Sequence, residues 1–295
     1  MKTILLLLTA LVLLSCSKDN KETASEKKPE GTEVIDKAPG ENYKSAETIN
    51  AEQKITGYYT GDFIALEYDD SKEYTYRNKI TISVDSLAKD TLYGHSIVAG
   101  NDRPFKGLFV GTKQGYSAVV NEPGDDKYDG TFSFSIDPAA NIIKGTWTSF
   151  NKDALVTKRE YELVKRDFSY NKDNGLPIDK NWNTLYEQDP KFPDKLETLT
   201  GKISEINASN KLLKKSDIDN LFKGDLEVIR NSIYARHGYS FKNRKMRYFF
   251  DNHIDWYMPV STDVRNNLTE TELKNVDLLK RFEEHAEKYY DEYGR

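Results

Sequence analysis

Few residues in this chain are of the types that carry out covalent or metal chemistry. Cysteine occurs once, as Cys16, and the four histidines are His95, His237, His253 and His285. None of these histidines pair at the spacing of metal ligands. The chain also lacks the nucleophile-elbow, zinc-protease, phosphate-loop and dinucleotide-binding motifs. We therefore predict a binding protein with no cofactor and no metal site, while the many paired carboxylates leave a glycan hydrolase open as an alternative.

The chemistry of Cys16 is predicted by what precedes it. Residues 4–14 form an apolar run interrupted only by Thr9, with one charge before it, Lys2, and a small residue after it, Ser15. The run is too short to span a bilayer as a stable helix and has the build of a signal-peptide core. The pattern resembles a bacterial lipoprotein signal. This resemblance implies cleavage after Ser15 and a mature chain that begins with Cys16 and carries acyl chains such as palmitate.

The residue after the cysteine indicates a location. Position 17 is Ser and not Asp, so the resemblance implies the outer membrane of a Gram-negative cell envelope, with the lipid bilayer as a partner through acylated Cys16. More than one acyl chain gives a lasting attachment. The alternative is an ordinary secreted protein with a cysteine in its signal.

Composition and patterning divide the rest of the chain. The predicted segments are a signal peptide 1–15, a lipidated flexible tether 16–50, an antiparallel β domain 51–166, a connecting segment 167–210 and a helical domain 211–290. The tether is rich in charged residues and has too few large apolar ones to offset the entropy of ordering. The whole chain has 43 Lys and Arg against 48 Asp and Glu, a balance that does not suggest nucleic-acid binding.

The β domain shows the alternation of antiparallel strands with one buried face. Phe132, Phe134 and Ile136, for example, alternate with Ser133 and Ser135. Turn signals separate about eight such runs, which suits a small barrel or a sandwich. They fall at residues 69–71, 100–102, 122–125 and 137–138.

Two short matches bear on what the β domain contains. Residues 57–61 and the later Gly145-Thr146-Trp147 resemble small lipocalin-like or avidin-like barrels. If the domain is a barrel, its interior either holds a small ligand or is filled by its own Phe, Ile and Tyr side chains. At this size we favour the filled barrel. The overall fold class is then α+β, with a β barrel or sandwich followed by a small all-α module.

The C-terminal domain has several helix signals. Residues 216–219 indicate a short helix that ends at Gly224, and Asp225 is predicted to cap a second helix that stops at Gly238. A third helix follows around residues 246–250, and residues 256–259 form a turn that fills the core. Thr269 and Glu272 form a capping box for the last helix.

Residues 234–238 read Tyr-Ala-Arg-His-Gly, and matching flanks run from about residue 212 to residue 282. This stretch resembles the YARHG domain of bacterial envelope proteins. The resemblance implies an extracytoplasmic module that binds a component of the envelope, such as peptidoglycan or another envelope polymer. It supplies no catalytic residues.

The motif residues have two interpretations. In the first, Tyr234, Arg236 and His237 form a recognition edge for a glycan or an anionic polymer, since Arg offers a planar fork for carboxylate or phosphate. In the second, Arg236 is paired inside the domain and His237 satisfies carbonyls at the helix end. We favour the second, because capping and pairing account for both charges.

Charge segregation keeps the binding interpretation open. Residues 211–250 are strongly basic, with 10 Lys and Arg against 4 Asp and Glu, whereas residues 251–295 are acidic. The candidate binding residues outside the motif are Arg230, Lys242, Arg244, Lys245 and Arg247. The cluster of Lys242, Arg244, Lys245 and Arg247 faces either an acidic wall polymer or the acidic last helix of the chain.

The expected function is therefore binding by a lipid-anchored envelope protein. A wall-glycan hydrolase that uses paired carboxylates is one alternative, and a carrier with a small ligand inside the barrel is another.

Overall fold

The computed structural model describes residues 46–177 and 199–290 of the 295-residue chain. Cys16 and the apolar run before it lie outside these ranges, as do Trp182, Tyr186 and Phe192 of the predicted connecting segment. Among the described residues, no helix has both the length and the apolar character required to cross a bilayer.

Eight antiparallel strands form a closed barrel, so the β domain is a barrel and not a sandwich. Each strand pairs with the next, and β8 closes the barrel against β1. The strands are β1 (Gly57–Tyr68), β2 (Arg77–Ala88), β3 (Thr91–Val98), β4 (Asn101–Thr112), β5 (Gly115–Asn121), β6 (Gly130–Asp137), β7 (Ile142–Ser149) and β8 (Val156–Lys165).

Alternation along the strands fills most of the barrel interior. In β6, Phe132, Phe134 and Ile136 are buried while Ser133 and Ser135 are exposed, as the period of two predicts. Buried apolar residues from all eight strands form one hydrophobic cluster. The barrel is thus packed along much of its length, although one end contains a cavity that is described below.

A helix closes the end of the barrel at which β1 begins. Helix α1 spans Ala46–Ile55, and its Ala51 and Ile55 join the barrel core. The Tyr59 hydroxyl donates to the Ile55 carbonyl over 2.9 Å, and the Leu87 N–H donates to Glu52 Oε1 over 2.9 Å. The last five residues of the predicted tether, 46–50, therefore belong to this helix.

The C-terminal region is helical, as predicted. Its helices are α2 (Lys202–Glu205), α3 (Lys215–Ile218), α4 (Lys223–Arg236), α5 (Arg244–His253) and α6 (Glu270–Tyr289), with a 3-10 turn at Arg265–Asn267. Apolar residues of these elements form a second hydrophobic cluster, which includes Tyr257 of the predicted core-filling turn. The Thr269–Glu272 capping box begins α6, as its sequence predicts.

The predicted boundary between α3 and α4 is wrong. Gly224 does not end a helix and Asp225 does not cap one, because both lie in the first turn of α4, whose N-cap is Phe222. The Asp225 carboxylate instead accepts the backbone N–H of Thr200 over 2.6 Å and its hydroxyl over 2.9 Å. This contact 25 residues away adds to a hydrogen bond from the backbone N–H of Phe222, the N-cap of the same helix.

The described parts of the connecting segment pack in the helical core. Leu176, Leu199, Ile203 and Ile206 are all buried in that cluster. Each of them therefore belongs structurally with the helices that follow.

Hydrogen bonds join the barrel to the helical region. On β2, the Lys79 backbone N–H donates to Asp251 Oδ2 and the Lys79 ammonium donates to the Ile254 carbonyl, both over 2.9 Å. The Gly100 N–H donates to the Ser240 hydroxyl over 3.0 Å. These contacts fix α5 against the outer face of β2 and beside one end of the barrel.

Candidate functional site

The Tyr-Ala-Arg-His-Gly motif forms the end of α4. The N–H of Gly238 donates to the Ala235 carbonyl over 3.0 Å, and the N–H of Tyr239 donates to the Tyr234 carbonyl over 3.1 Å. These two bonds make a Schellman motif, in which the residue after the cap adopts a left-handed conformation. Gly238 has a φ of +75°, so the glycine of the motif terminates the helix as predicted.

Arg236 is buried within the helical region. Its side chain is 2 % exposed. Nε donates to the Asn174 carbonyl over 2.8 Å, and one terminal nitrogen donates to the hydroxyls of Ser232 and Ser209 over 2.8 and 3.2 Å. Burial lowers its pKa to about 10. Because this value is still well above 7, the guanidinium remains charged at neutral pH. An external polymer reaches this side chain only if these contacts break.

His237 occupies a similarly enclosed position. Its Nε2 lies 2.9 Å from Glu272 Oε2, and its ring stacks on Tyr170 with centroids 4.2 Å apart. The Tyr170 hydroxyl donates to the other oxygen of Glu272 over 3.1 Å. The His237 backbone N–H also caps α4 by donating to the Tyr234 carbonyl.

Glu272 is the acceptor at the centre of this cluster. Burial alone would raise its pKa, but hydrogen bonds from His237, Thr269 and Ser209 outweigh burial and lower the pKa to about 2. The carboxylate is therefore charged across the physiological range and holds α4 against the start of α6. This arrangement gives the side chains of Arg236 and His237 hydrogen-bond partners inside the helical region.

Tyr234, by contrast, lines an open cleft. The cleft has a volume of about 500 Å³ and lies beside α4, the start of α5 and the 262–265 loop. Two other candidate residues, Arg230 and Lys242, line it as well. Its remaining lining residues are Glu227, Asn231, Tyr239, Phe241, Asn243, Met246, Thr262, Asp263, Val264 and Arg265.

The cleft combines aromatic faces with charged and amide groups. Tyr234 and Tyr239 lie on its wall with ring centroids 6.2 Å apart, and both are partly exposed. Arg230 is held in place by a bidentate pair with Glu283, at 2.5 and 2.9 Å. Lys242 is exposed at the rim. Such a set offers stacking surfaces and fixed hydrogen-bond donors to a polar ligand.

The other basic candidates lie in three different environments. Lys245 is buried and forms an ion pair with Glu227. Arg244 is exposed and pairs with Glu73 of the barrel. Arg247 donates to the Lys242 carbonyl over 2.5 Å and lines the barrel-end cavity with Arg244. The cluster is therefore divided between the helical core, the cleft and the barrel.

The acidic last helix pairs with residues other than this cluster. Glu283 binds Arg230, and Glu287 forms an ion pair with Lys223. The last helix thus takes these two ion-pair partners from α4, and Lys245 pairs with Glu227, which also lies on α4.

Sequence reasoning missed two cleft residues that carry chemistry, Tyr239 and Arg265. Tyr239 directly follows the motif and lies in the matching flank, and this position is the sequence feature that could have identified it. Arg265 comes from a loop 27 residues beyond Gly238, and no local pattern predicts that this loop returns to α4. Among the residues that the structure describes, no group of His, Cys, Asp and Glu side chains is arranged to hold a metal ion.

Comparison with known families matches residues 202–284 to the YARHG domain. The match covers the described helices α2 to α6 up to residue 284. Comparison with curated proteins found no match.

Proposed function

We propose that this chain is a lipid-anchored envelope protein whose YARHG domain binds an anionic wall glycan such as peptidoglycan in the cleft beside α4. The observation that carries the proposal is the composition of that cleft. It brings Tyr234, Tyr239, Arg230, Lys242 and Arg265 together in an open space of about 500 Å³.

The aromatic residues suit the apolar faces of sugar rings. Tyr234 and Tyr239 are anchored on the hydrophobic core and remain partly exposed toward the cleft. An anchored ring offers contact area without a large loss of side-chain entropy on binding. The neighbouring amides of Asn231 and Asn243 supply donors and acceptors for hydroxyl groups.

The basic residues suit the carboxylates of a wall polymer. Lys242 is exposed, and the exposed Arg265 forms an ion pair with Asp263, which is also exposed. A surface ion pair of this kind contributes little to stability. Arg265 can therefore exchange Asp263 for a ligand carboxylate at small cost.

The lipid anchor rests on the sequence around Cys16. An acylated Cys16 and a tether would keep the folded region close to a membrane and within reach of the wall. Labelling cells with radioactive palmitate tests this part separately. We expect incorporation into the wild-type protein and none into Cys16→Ser, and label in both or in neither would contradict the anchor.

Binding is tested by cosedimentation of the purified protein with wall sacculi. The double variant Lys242→Gln/Arg265→Gln removes two charges from the cleft, and Lys280→Gln removes an exposed charge from α6 outside it. A charged hydrogen bond contributes about 1.5 to 3 kcal/mol, so we expect the double variant to bind at least about tenfold more weakly.

The control variant Lys280→Gln should bind as the wild type does. Equal binding by the double variant and the control, with both folded by circular dichroism, would exclude the cleft as the binding site. No sedimentation of the wild type with sacculi would exclude wall-glycan binding altogether.

A further inference from the structure

The barrel contains a cavity at the end opposite α1. It has a volume of about 620 Å³ and lies where β1 joins β2, β3 joins β4, β5 joins β6 and β7 joins β8. Arg244 and Arg247 of α5 contribute to its lining. The cavity is therefore built from both the barrel and the helical region, and its size is that of a small-molecule site.

Aromatic side chains form the inner part of the cavity. The ring of Phe63 lies 5.9 Å from Trp147 and 6.3 Å from Phe132. The Trp147 Nε1–H donates to Glu122 Oε2 over 3.1 Å, and Glu122, which is 5 % exposed, also accepts from Ser96 and from a backbone N–H. These hydrogen bonds fix the indole, so the apolar surface is preorganised.

Two guanidinium groups in the lining lack a carboxylate partner. Arg159 is 8 % exposed and donates only to neutral backbone carbonyls, those of Phe63, Thr75 and Tyr76. Arg247 donates to the Lys242 carbonyl. Within residues 46–177 and 199–290, no carboxylate forms an ion pair with either group, and the Arg247 Nε has no hydrogen-bond partner.

Three carboxylates line the cavity, and two of them, Glu73 and Glu122, are engaged by other groups, whereas the third, Asp153, is exposed to solvent. Glu73 pairs with Arg244, and Asp129 lies 3.5 Å from Arg103. Glu122 holds Trp147. Asp251 is one helical turn from Arg247, but burial raises its pKa to about 7, which weakens its negative charge near neutrality.

The two unpaired cations also act on each other. Burial, and then the charge of Arg247, lower the pKa of Arg159 to about 10. Two buried like charges are unfavourable unless an anion lies between or beside them. The cavity thus pairs an apolar interior with an uncompensated positive region at its rim.

We propose that this cavity binds an amphipathic organic anion, with its apolar body against Phe63, Phe132 and Trp147 and its carboxylate or phosphate head group at Arg159 and Arg247. Arginine binds both head groups through two parallel hydrogen bonds. Because Arg159 lies in the barrel and Arg247 on α5, the ligand contacts both regions and strengthens their packing.

The probe for this site is 8-anilinonaphthalene-1-sulfonate, an anionic dye that fluoresces in apolar surroundings. Its uncharged relative N-phenyl-1-naphthylamine serves as the neutral probe. We expect the sulfonate to bind the purified protein saturably with one site per chain. Octanoate and octyl phosphate should displace it, and their relative potency identifies carboxylate or phosphate as the preferred head group. Octanol should displace it at least about tenfold less well, because it has the same chain without the charge.

Variants locate the bound dye. Arg247→Gln should weaken sulfonate binding about tenfold and leave the neutral dye unaffected, since one charged hydrogen bond is lost. Arg281→Gln is the matched control, because Arg281 is an exposed arginine of α6 that lies outside both this cavity and the cleft beside α4. If Arg247→Gln were unfolded by circular dichroism, Arg247→Lys would replace it.

Three results would overturn the proposal. The first is the absence of saturable binding of the sulfonate at one site per chain. The second is displacement by octanol as effective as displacement by octanoate. The third is an equal effect of Arg247→Gln and Arg281→Gln on the binding of the sulfonate. None of these results bears on wall-glycan binding in the cleft beside α4, so the two proposals fail independently.

Discussion

The backbone N–H of Lys79 donates to Asp251 Oδ2 over 2.9 Å, although the two residues are 172 positions apart in the chain. Asp251 is 4 % exposed and lies on α5, while Lys79 lies on β2. The carboxylate therefore sits at the contact between the barrel and the helical region. Burial raises its pKa to about 7, against the opposing effects of the Lys79 hydrogen bond and the charges of Lys79 and Arg247, while the charge of Asp62 adds to the rise.

This raised pKa predicts that stability falls as the pH rises. The folded state binds a proton at Asp251 that the unfolded state, with a pKa near 3.8, releases. Between pH 4 and pH 7 the charge of Asp251 thus opposes folding progressively, by up to about 1.4 kcal/mol per pH unit. Asp251→Asn should remove this dependence. The difference between the free energy of unfolding of Asp251→Asn and that of the wild type should therefore rise with pH.

Urea unfolding at several pH values measures the effect, with Asp277→Asn as an exposed control. Parallel pH profiles for the wild type and Asp251→Asn would contradict the raised pKa.

Glu272 should act in the opposite direction. Its pKa of about 2 lies below its ordinary value of 4.5, so its stabilising effect is complete above pH 4.5 and is lost as the pH falls toward 2. Glu272→Gln should lower the free energy of unfolding at pH 7 by about 2 kcal/mol, because the donors on His237 and Thr269 lose a charged acceptor. The difference from the wild type should shrink in acid.

Unfolding of Glu272→Gln and of Glu284→Gln, an exposed residue of the same helix, gives the comparison. If both variants lost the same stability, the hydrogen-bonded cluster around Glu272 would have no special effect.

Gly238 is predicted to tolerate no side chain. Its φ of +75° is unfavourable for other residues, and an added Cβ would lie 2.9 Å from the Phe168 ring and closer still to Val260. A left-handed residue costs about 1 to 2 kcal/mol before any clash, so Gly238→Ala should destabilise the protein by about 2 kcal/mol or more. Gly201→Ala is the control, since a Cβ there meets no described atom within 4 Å. Equal melting temperatures for the two variants would refute the assigned conformation.

Arg236 separates the two interpretations of the motif. Because its guanidinium donates to Asn174, Ser209 and Ser232, Arg236→Ala should lower stability by about 3 kcal/mol. The fraction that remains folded should bind sacculi with unchanged affinity. Chemical unfolding and sacculus binding at low temperature measure the two quantities. Weaker binding with unchanged stability would instead make Arg236 a recognition residue.

The sequence predicts the local features of this fold well. The alternation in β6 and the capping box of Thr269 and Glu272 depend on neighbouring residues alone, and both appear as expected. Gly238 likewise ends α4 through a local property, because glycine readily adopts the left-handed conformation of a helix end. Closure of the eight strands into a barrel is a non-local property, which is why a barrel and a sandwich were equally compatible with the pattern.

The features that the sequence does not reveal depend on distant contacts. Glu122 precedes Pro123 and Gly124 and carries the signal of an exposed turn, yet it is buried and accepts the Trp147 N–H. Asp225 has the signal of a helix cap and binds Thr200 instead. In each case a partner 25 residues along the chain binds the carboxylate, and no local pattern indicates that partner.

Hydrogen–deuterium exchange of the protein with and without soluble wall-glycan fragments tests whether the glycan binds in the cleft. We expect slower exchange in the cleft segments, residues 230–247 and 262–265, in the wild type, and a much smaller effect in Lys242→Gln/Arg265→Gln. Protection confined to other parts of the chain, or no protection at saturating glycan, would contradict binding in the cleft beside α4.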